Sequence, residues 1–255
     1  MSDQHDPETV EPLPETCCPT VWLWPGQALY AGPGLGLDPH SGSVWCLAVG
    51  LDGPLTVTVQ GDAITAGSVL IPPRLIHHLS MPGGLVSCYL DPSSQRSASC
   101  RQQFSEFQGG IGIGHAAEPV LTAMPDDDNT ARRWLDVAAP DVPHRVDPRI
   151  ELVAKQIRED PAAAVPAREF AAAAGLSESR FLHLFRREAG TSLRRYRIWS
   201  RLVAAGTAVA AGENLTTAAA ESGFASPSHL ADSFKTTFGL SATQLLSTGL
   251  RIRTP

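Results

Sequence analysis

The sequence predicts an α+β multidomain protein, sheet-rich in its first half and all-helical in its second. Three observations lead there. Short apolar runs parted by Gly and Pro turns fill roughly 21–95. Apolar residues at helical spacing, with capping signals, run from about 148 onward. Between the two lies Ala139–Pro148, whose three prolines in ten residues stop helices on both sides. A length of 255 residues fits two ordinary domains.

The start, MSDQHDPETVEPLPET, is acidic and Pro-bearing. It lacks the basic end and apolar core of a secretory signal, so 1–20 is expected to be a disordered leader. No run of 18 apolar residues occurs, and a cytoplasmic chain without a membrane partner is expected. In the next segment, Val44–Val49, Leu55–Val59, Gly67–Ile71 and Leu85–Leu90 read as strands. Asp52-Gly53, Gly61-Asp62, Pro72-Pro73 and Pro82-Gly83-Gly84 supply the turns between them. Strands this short and close predict a sandwich or small barrel. Residues 97–138 turn more helical, with a helix at Ala131–Ala138 after Asp126-Asp127-Asp128. The first domain is therefore placed at 21–138 and the linker at 139–147.

In the second domain, 148–250, Asp147 caps a helix that has Pro148 at its first position. Ile150, Val153, Ala154 and Ile157 share one face of it. A short helix then ends at Gly175, and Ser177 caps the next, Glu178–Glu188, whose buried stripe is Phe181, Leu184 and Phe185. A helix, a Gly-bearing turn and a capped helix with basic outer positions make a helix-turn-helix. The pattern repeats. Leu215–Ser222 is followed by Gly223, the cap Ser226 and the first-position Pro227, and Gly239 ends that helix. Between the units Ser192–Ala210 reads as one helix bearing Arg194, Arg195, Arg197 and Arg201.

The stretch 148–247 resembles the AraC/XylS family of bacterial regulators. The residues that carry the resemblance are Ala171, Gly175-Leu176-Ser177, Phe181-Leu182 and Leu184-Phe185-Arg186-Arg187-Glu188 with Gly190. Gly223-Phe224-Ala225-Ser226, Phe234-Lys235 and Phe238-Gly239-Leu240-Ser241 follow at the family's spacing. The resemblance implies a seven-helix unit that sets two recognition helices in adjacent major-groove segments of double-stranded DNA, with RNA polymerase as a further partner. It implies base reading by Ser179, Arg180, Leu182 and His183 in the first unit, flanked by Arg186 and Arg187. In the second it implies Pro227, Ser228, His229 and Asp232, beside Lys235. Arg194 and Arg195 fall on the connecting helix, where they neutralise phosphates. Asp232 departs from the basic or amide residue usual there, and Ala218 and Ser222 predict a softer second core.

Charge agrees. Residues 1–144 hold 5 Lys/Arg against 16 Asp/Glu, whereas 145–255 hold 15 against 10. A net charge of −6 thus hides a basic C-terminal half, the electrostatic footprint of a nucleic-acid binder.

Gly67, Pro73 and His78 resemble the second motif of a cupin barrel, with Leu75 and Pro82 where that motif has Gly and Asn. The resemblance implies a degenerate cupin-like β-barrel plus helical segment that binds a small effector and supports a monomer or a homodimer. Trp22, Trp24, Tyr30, His40, His77 and His78 are candidate lining residues, with Trp45 read as core. A metal-dependent cupin enzyme would need three or four convergent ligands, and of its first motif only His40 is left. No metal, cofactor or catalytic residue is expected.

Five cysteines, with no C-x-x-C, indicate neither a zinc site nor a disulfide framework. The vicinal pair Cys17-Cys18 leaves a thiol-responsive regulator open as an alternative.

Overall fold

The computed structural model describes residues 18–142 and 146–255. Eight strands form the larger of two sheets, in the order β11-β1-β2-β8-β3-β6-β10-β9. They are β1 (Thr20–Trp24), β2 (Gln27–Pro33), β3 (Trp45–Gly50), β6 (Ser68–Ile71), β8 (Gly84–Leu90), β9 (Phe104–Gln108), β10 (Ile111–His115) and β11 (Arg251–Arg253). The smaller sheet holds β4 (Leu55–Val59), β5 (Asp62–Ala66) and β7 (His78–Ser80), in the order β5-β4-β7.

Burial explains the two kinds of strand. β3 is an almost unbroken apolar run because both its faces are covered. Leu47 and Val49 join Trp22, Leu29 and Trp134 on one side, and Cys46 and Ala48 join Leu55, Val57 and Leu79 on the other. β4 alternates instead: Leu55 and Val57 point in, while Thr56 stays out and bonds Thr65 across the hairpin at 3.0 Å. The helices α1 (Gln95–Gln102), α2 (Glu118–Leu121) and α3 (Asp128–Ala138) cover the first face. α3 begins in a capping box between Asp127 and Thr130 and buries Ala131, Trp134, Leu135 and Ala138, one stripe at helical spacing.

Two expectations need correction. The eight-stranded sheet ends on β11 and β9, which do not pair with each other, so the barrel is not closed. And 97–138 is not wholly helical: β9 and β10 form a hairpin there. Its turn, Gly109-Gly110, has φ of +58° and +86°, the double left-handed turn that fits strand twist and that glycine adopts without strain.

The second domain has seven helices among the described residues, as the family resemblance implies. They are α4 (Pro148–Glu159), α5 (Ala167–Ala173), α6 (Glu178–Ala189), α7 (Leu193–Ala210), α8 (Leu215–Glu221), α9 (Pro227–Phe238) and α10 (Ala242–Ser247). The caps fall where the residue types put them. Asp147, Ser177, Ser192, Ser226 and Ser241 each accept from a backbone N–H of the first turn, and Gly190 and Gly239 end α6 and α9 in the left-handed region. Ile150, Phe170, Phe181, Phe185 and Tyr196 make the first unit's core. The second core is slighter, with Ala218, Ala219, Phe224 and Leu230 buried and Phe234 and Phe238 only partly so.

The domains are docked through mixed chemistry. Trp199 of α7 is 1% exposed, packs with Leu23, Ala28 and Val44, and donates its indole N–H to the Gly26 carbonyl at 2.9 Å. Asp91 is 1% exposed and accepts from the Arg158 guanidinium and the Tyr196 hydroxyl, each at 2.9 Å, and from Ser93 at 2.6 Å. A buried carboxylate needs such a full set, and losing one charged partner typically costs about 3–5 kcal/mol. The chain's last strand belongs to the first domain's sheet: β11 pairs parallel with β1, Ile252 opposite Val21.

Candidate nucleic-acid interface and interdomain pocket

The first helix-turn-helix is α5, a turn with Gly175 at φ +66°, and α6. Burying Phe181, Leu184 and Phe185 turns the remaining faces of α6 outward. Ser179, Arg180, Leu182, His183, Arg186 and Arg187 are accordingly all exposed. Leu182, 38% exposed, offers a methyl surface rather than a hydrogen bond. Arg187 is already paired with Glu188 at 2.7 Å.

The second unit is α8, Gly223 at φ +78°, and α9. Pro227, Ser228 and Asp232 are exposed on its recognition helix. His229 is half-buried, with its ring edge-on to Phe224 at 5.3 Å. Lys235 turns away from these residues to the first domain, where it pairs with Asp38 at 3.1 Å. That far end of α9 is held by the first domain's main chain as well. Asp38 N–H donates to the Gly239 carbonyl at 2.7 Å and Ser41 N–H to the Thr236 carbonyl at 3.0 Å. Gly239 has φ +78°, and a Cβ there would stand 2.5 Å from the Asp38 oxygen.

The four arginines of α7 divide. Arg197 donates to the Val165 carbonyl and lies over Phe170, and Arg201 donates to the Pro161 carbonyl at 3.0 Å, so both tie α7 to its own domain. Arg194 is exposed, and Arg195, half-buried, reaches the Ser41 hydroxyl at 3.1 Å.

Of the six lining candidates, only Tyr30 reaches a large apolar cavity. That cavity, about 130 Å³, lies between the domains rather than in a barrel mouth. First-domain residues such as Val21, Leu35, Leu37 and Tyr89 face Trp199, Val203 and Phe238 across it. Its lining carries no Lys, Arg, His, Asp or Glu. Trp22 is packed away from it, 0% exposed, donating its indole N–H to Asp128 at 2.9 Å. Trp24 borders a separate, wetter cleft with Arg158 and Ser200. His40 and His77 are buried together, ring centroids 4.3 Å apart, while His78 is half-buried on β7. The His40 and His77 Nδ1 atoms face the Asp38 and Leu75 carbonyls at 3.0 Å, which makes each Nδ1 the protonated nitrogen. Burial pushes the pKa of both down, that of His77 to about 4. Among the described residues, no three His, Cys, Asp or Glu side chains converge on a metal-sized point.

Cys17 lies outside the described residues; Cys18 is exposed. Burial raises the Cys46 and Cys100 thiols to about 12 and Cys88 well above its ordinary value, which leaves them protonated and poor nucleophiles. No helix among the described residues is long and apolar enough to cross a membrane.

A protein family described as a helix-turn-helix domain matches residues 170–248. No curated protein matches the sequence. Among solved structures, a point variant of apo ToxT from Vibrio cholerae strain SCE256 superposes with a TM-score of 0.60 at 12% identity, over 88% of this chain and 97% of that one. Wild-type ToxT of the same strain, solved with an unsaturated fatty acid bound, gives 0.55 at 12% identity over 86% and 94%. ToxT of strain O395, bound to (E)-4-(8-methylnaphthalen-1-yl)but-3-enoic acid, gives 0.50 at 14% identity over 90% and 98%. At these identities the likeness is one of fold: a sheet-rich domain followed by a helical helix-turn-helix domain, over nearly the full length of both chains.

Proposed function

From the premise that the chain carries the AraC-type helix-turn-helix domain of a DNA-binding transcription regulator, we propose how it reads DNA and what its first domain senses. The supporting observation is that two capped recognition helices, α6 and α9, present their outward residues to solvent while their inner stripes are spent on cores. Ser179, Arg180, Leu182 and His183 read one major-groove segment. Arg180 is suited to a guanine edge and Leu182 to a thymine methyl. Pro227, Ser228, His229 and Asp232 stand at the second segment. Asp232 repels phosphate but can accept from a cytosine amino group.

The apolar interdomain cavity is the effector site. A cavity of this size takes a molecule near benzene in bulk, and a larger ligand enters only if the docked faces part. The two ToxT ligands named above are carboxylic acids. The uncharged lining here suits a neutral apolar effector, because a carboxylate would be desolvated without a cation. Such a ligand touches sheet and α7 at once and so biases how the domains dock. Neither catalysis nor a cofactor is part of this reading.

Selection of duplexes from a random pool by the full chain tests the DNA reading. Two short preferred segments about 10 bp apart, centre to centre, are expected. Arg180→Ala should weaken binding to the selected site by about 1–3 kcal/mol and relax one position. Recovery of unenriched sequence, or equal loss on all sequences, would contradict base reading by α6.

A further inference from the structure

A second cavity, about 620 Å³, opens between the two recognition helices, and its chemistry is opposite to that of the apolar one. Arg186 of α6, Arg194 and Arg195 of α7, and Arg74 from the first domain all line it, together with Ser41 and Thr236. His229 and Asp232 of α9 border the same space. No carboxylate among the described residues lies within ion-pair distance of any of the four guanidinium groups; Arg195 has only the Ser41 hydroxyl.

Two features show that this concentration of charge is uncompensated, and a third that Arg74 is held in place. Arg194 and Arg195 stand in the first turn of α7, which carries no acidic residue, so they sit at the positive end of an 18-residue helix dipole. The Arg195 pKa is held below its ordinary value, first by burial and then by the charges of Arg74 and Arg194. Arg74 itself has φ +72°, a turn position that glycine or asparagine fills without strain. An arginine there is held against its own backbone preference. Its N–H is fixed to the Gly42 carbonyl at 2.9 Å, in the segment that also holds Ser41.

We infer that Arg74, Arg186, Arg194 and Arg195 form a seat for a backbone phosphate of the bound duplex, so that the first domain grips DNA directly. The inference rests on the DNA-binding reading above and adds a partner contact from outside the helix-turn-helix domain. If α6 and α9 enter neighbouring major-groove segments, the strand between them passes this cavity. Guanidinium groups are the side chains best matched to a phosphate's paired oxygens. The seat is complete only when the domains are docked, because Arg74 arrives from the sheet side and the other three from the helices.

The test uses the full chain and measures affinity for a selected duplex and for a random one as a function of salt. Arg74→Gly, which suits the turn, should make the slope of log K against log[salt] shallower by about 0.9, the loss of one phosphate contact, on both duplexes. Arg74→Lys should keep the slope. An unchanged slope in Arg74→Gly, with wild type binding DNA normally, overturns the seat and leaves the DNA-binding reading intact. Failure of wild type to bind either duplex overturns both. A separate arm titrates pyrophosphate without DNA. Micromolar binding that disappears in Arg74→Gly, beside an unchanged DNA salt slope, would assign the cavity to a small phosphorylated ligand and overturn the duplex assignment.

Discussion

His77 shows how one residue ties fold to acidity. Its pKa is about 4 in the folded chain against an ordinary 6.5, chiefly because it is buried and secondly because His40 lies beside it. As pH falls the unfolded chain takes up this proton first. The contribution is therefore whole above about pH 6.5 and drains away towards pH 4. Roughly 2 kcal/mol of it should be gone by pH 5. Denaturant unfolding at pH 7.5 and pH 5 should show a smaller acid loss for His77→Gln than for wild type; equal losses would contradict this. Since His40 and His77 sit beside α9 and Gly239, acid should weaken the docking before it weakens α6. His40, His77 and the other lining candidates were legible as unusual residues, but their placement was not. Local spacing cannot say that His40 and His77 meet each other, or that Trp22 turns into the core while Tyr30 meets a helix more than 160 residues later.

At the scale of elements, chemistry that acts within a few residues was readable. The caps Asp147, Ser177 and Ser226, the Gly175 and Gly223 turns and the apolar stripe of α6 all stand where residue type and spacing put them. Elements that need a distant partner were not. β1 and β2 have too few alternating positions to stand out, and β11, three residues long, exists because β1 offers it an edge. Phe104–Gln108 and Ile111–His115 are separated by a Gly-Gly hairpin turn, a signal present in the sequence and outweighed by the helical look of its surroundings. The clasp makes its own prediction. Arg251→Pro removes the ladder N–H that donates to the Pro19 carbonyl at 2.9 Å, and should cost about 2 kcal/mol of docking. Amide exchange should then speed up in residues 20–22 and stay slow in 181–189. Slow exchange in both segments would mean that β11 does not hold the domains together.

At the scale of the whole molecule, two cavities of opposite character share one set of walls. The apolar one lies between sheet and α7, and the arginine-lined one between the first domain and both recognition helices. α7 contributes to each, through Trp199 and Val203 to the first and Arg194 and Arg195 to the second. Asp91 with Arg158 and Tyr196 pins the same helix to the sheet domain. In the proposed reading, a ligand that alters this docking alters the DNA grip, and by linkage DNA alters the ligand's affinity by the same factor. The basic second half and acidic first half announced two modules with different partners; their common wall became visible only in three dimensions.

The most direct measurement is therefore a paired titration. The affinity of the selected duplex is measured with and without a saturating small neutral apolar compound, and the compound's affinity with and without the duplex. Coupling through the docked faces predicts equal factors in the two directions, on the order of 5–150-fold, and their disappearance in Val203→Trp, which fills the apolar cavity. Duplex affinity that ignores a compound shown to occupy that cavity would contradict it.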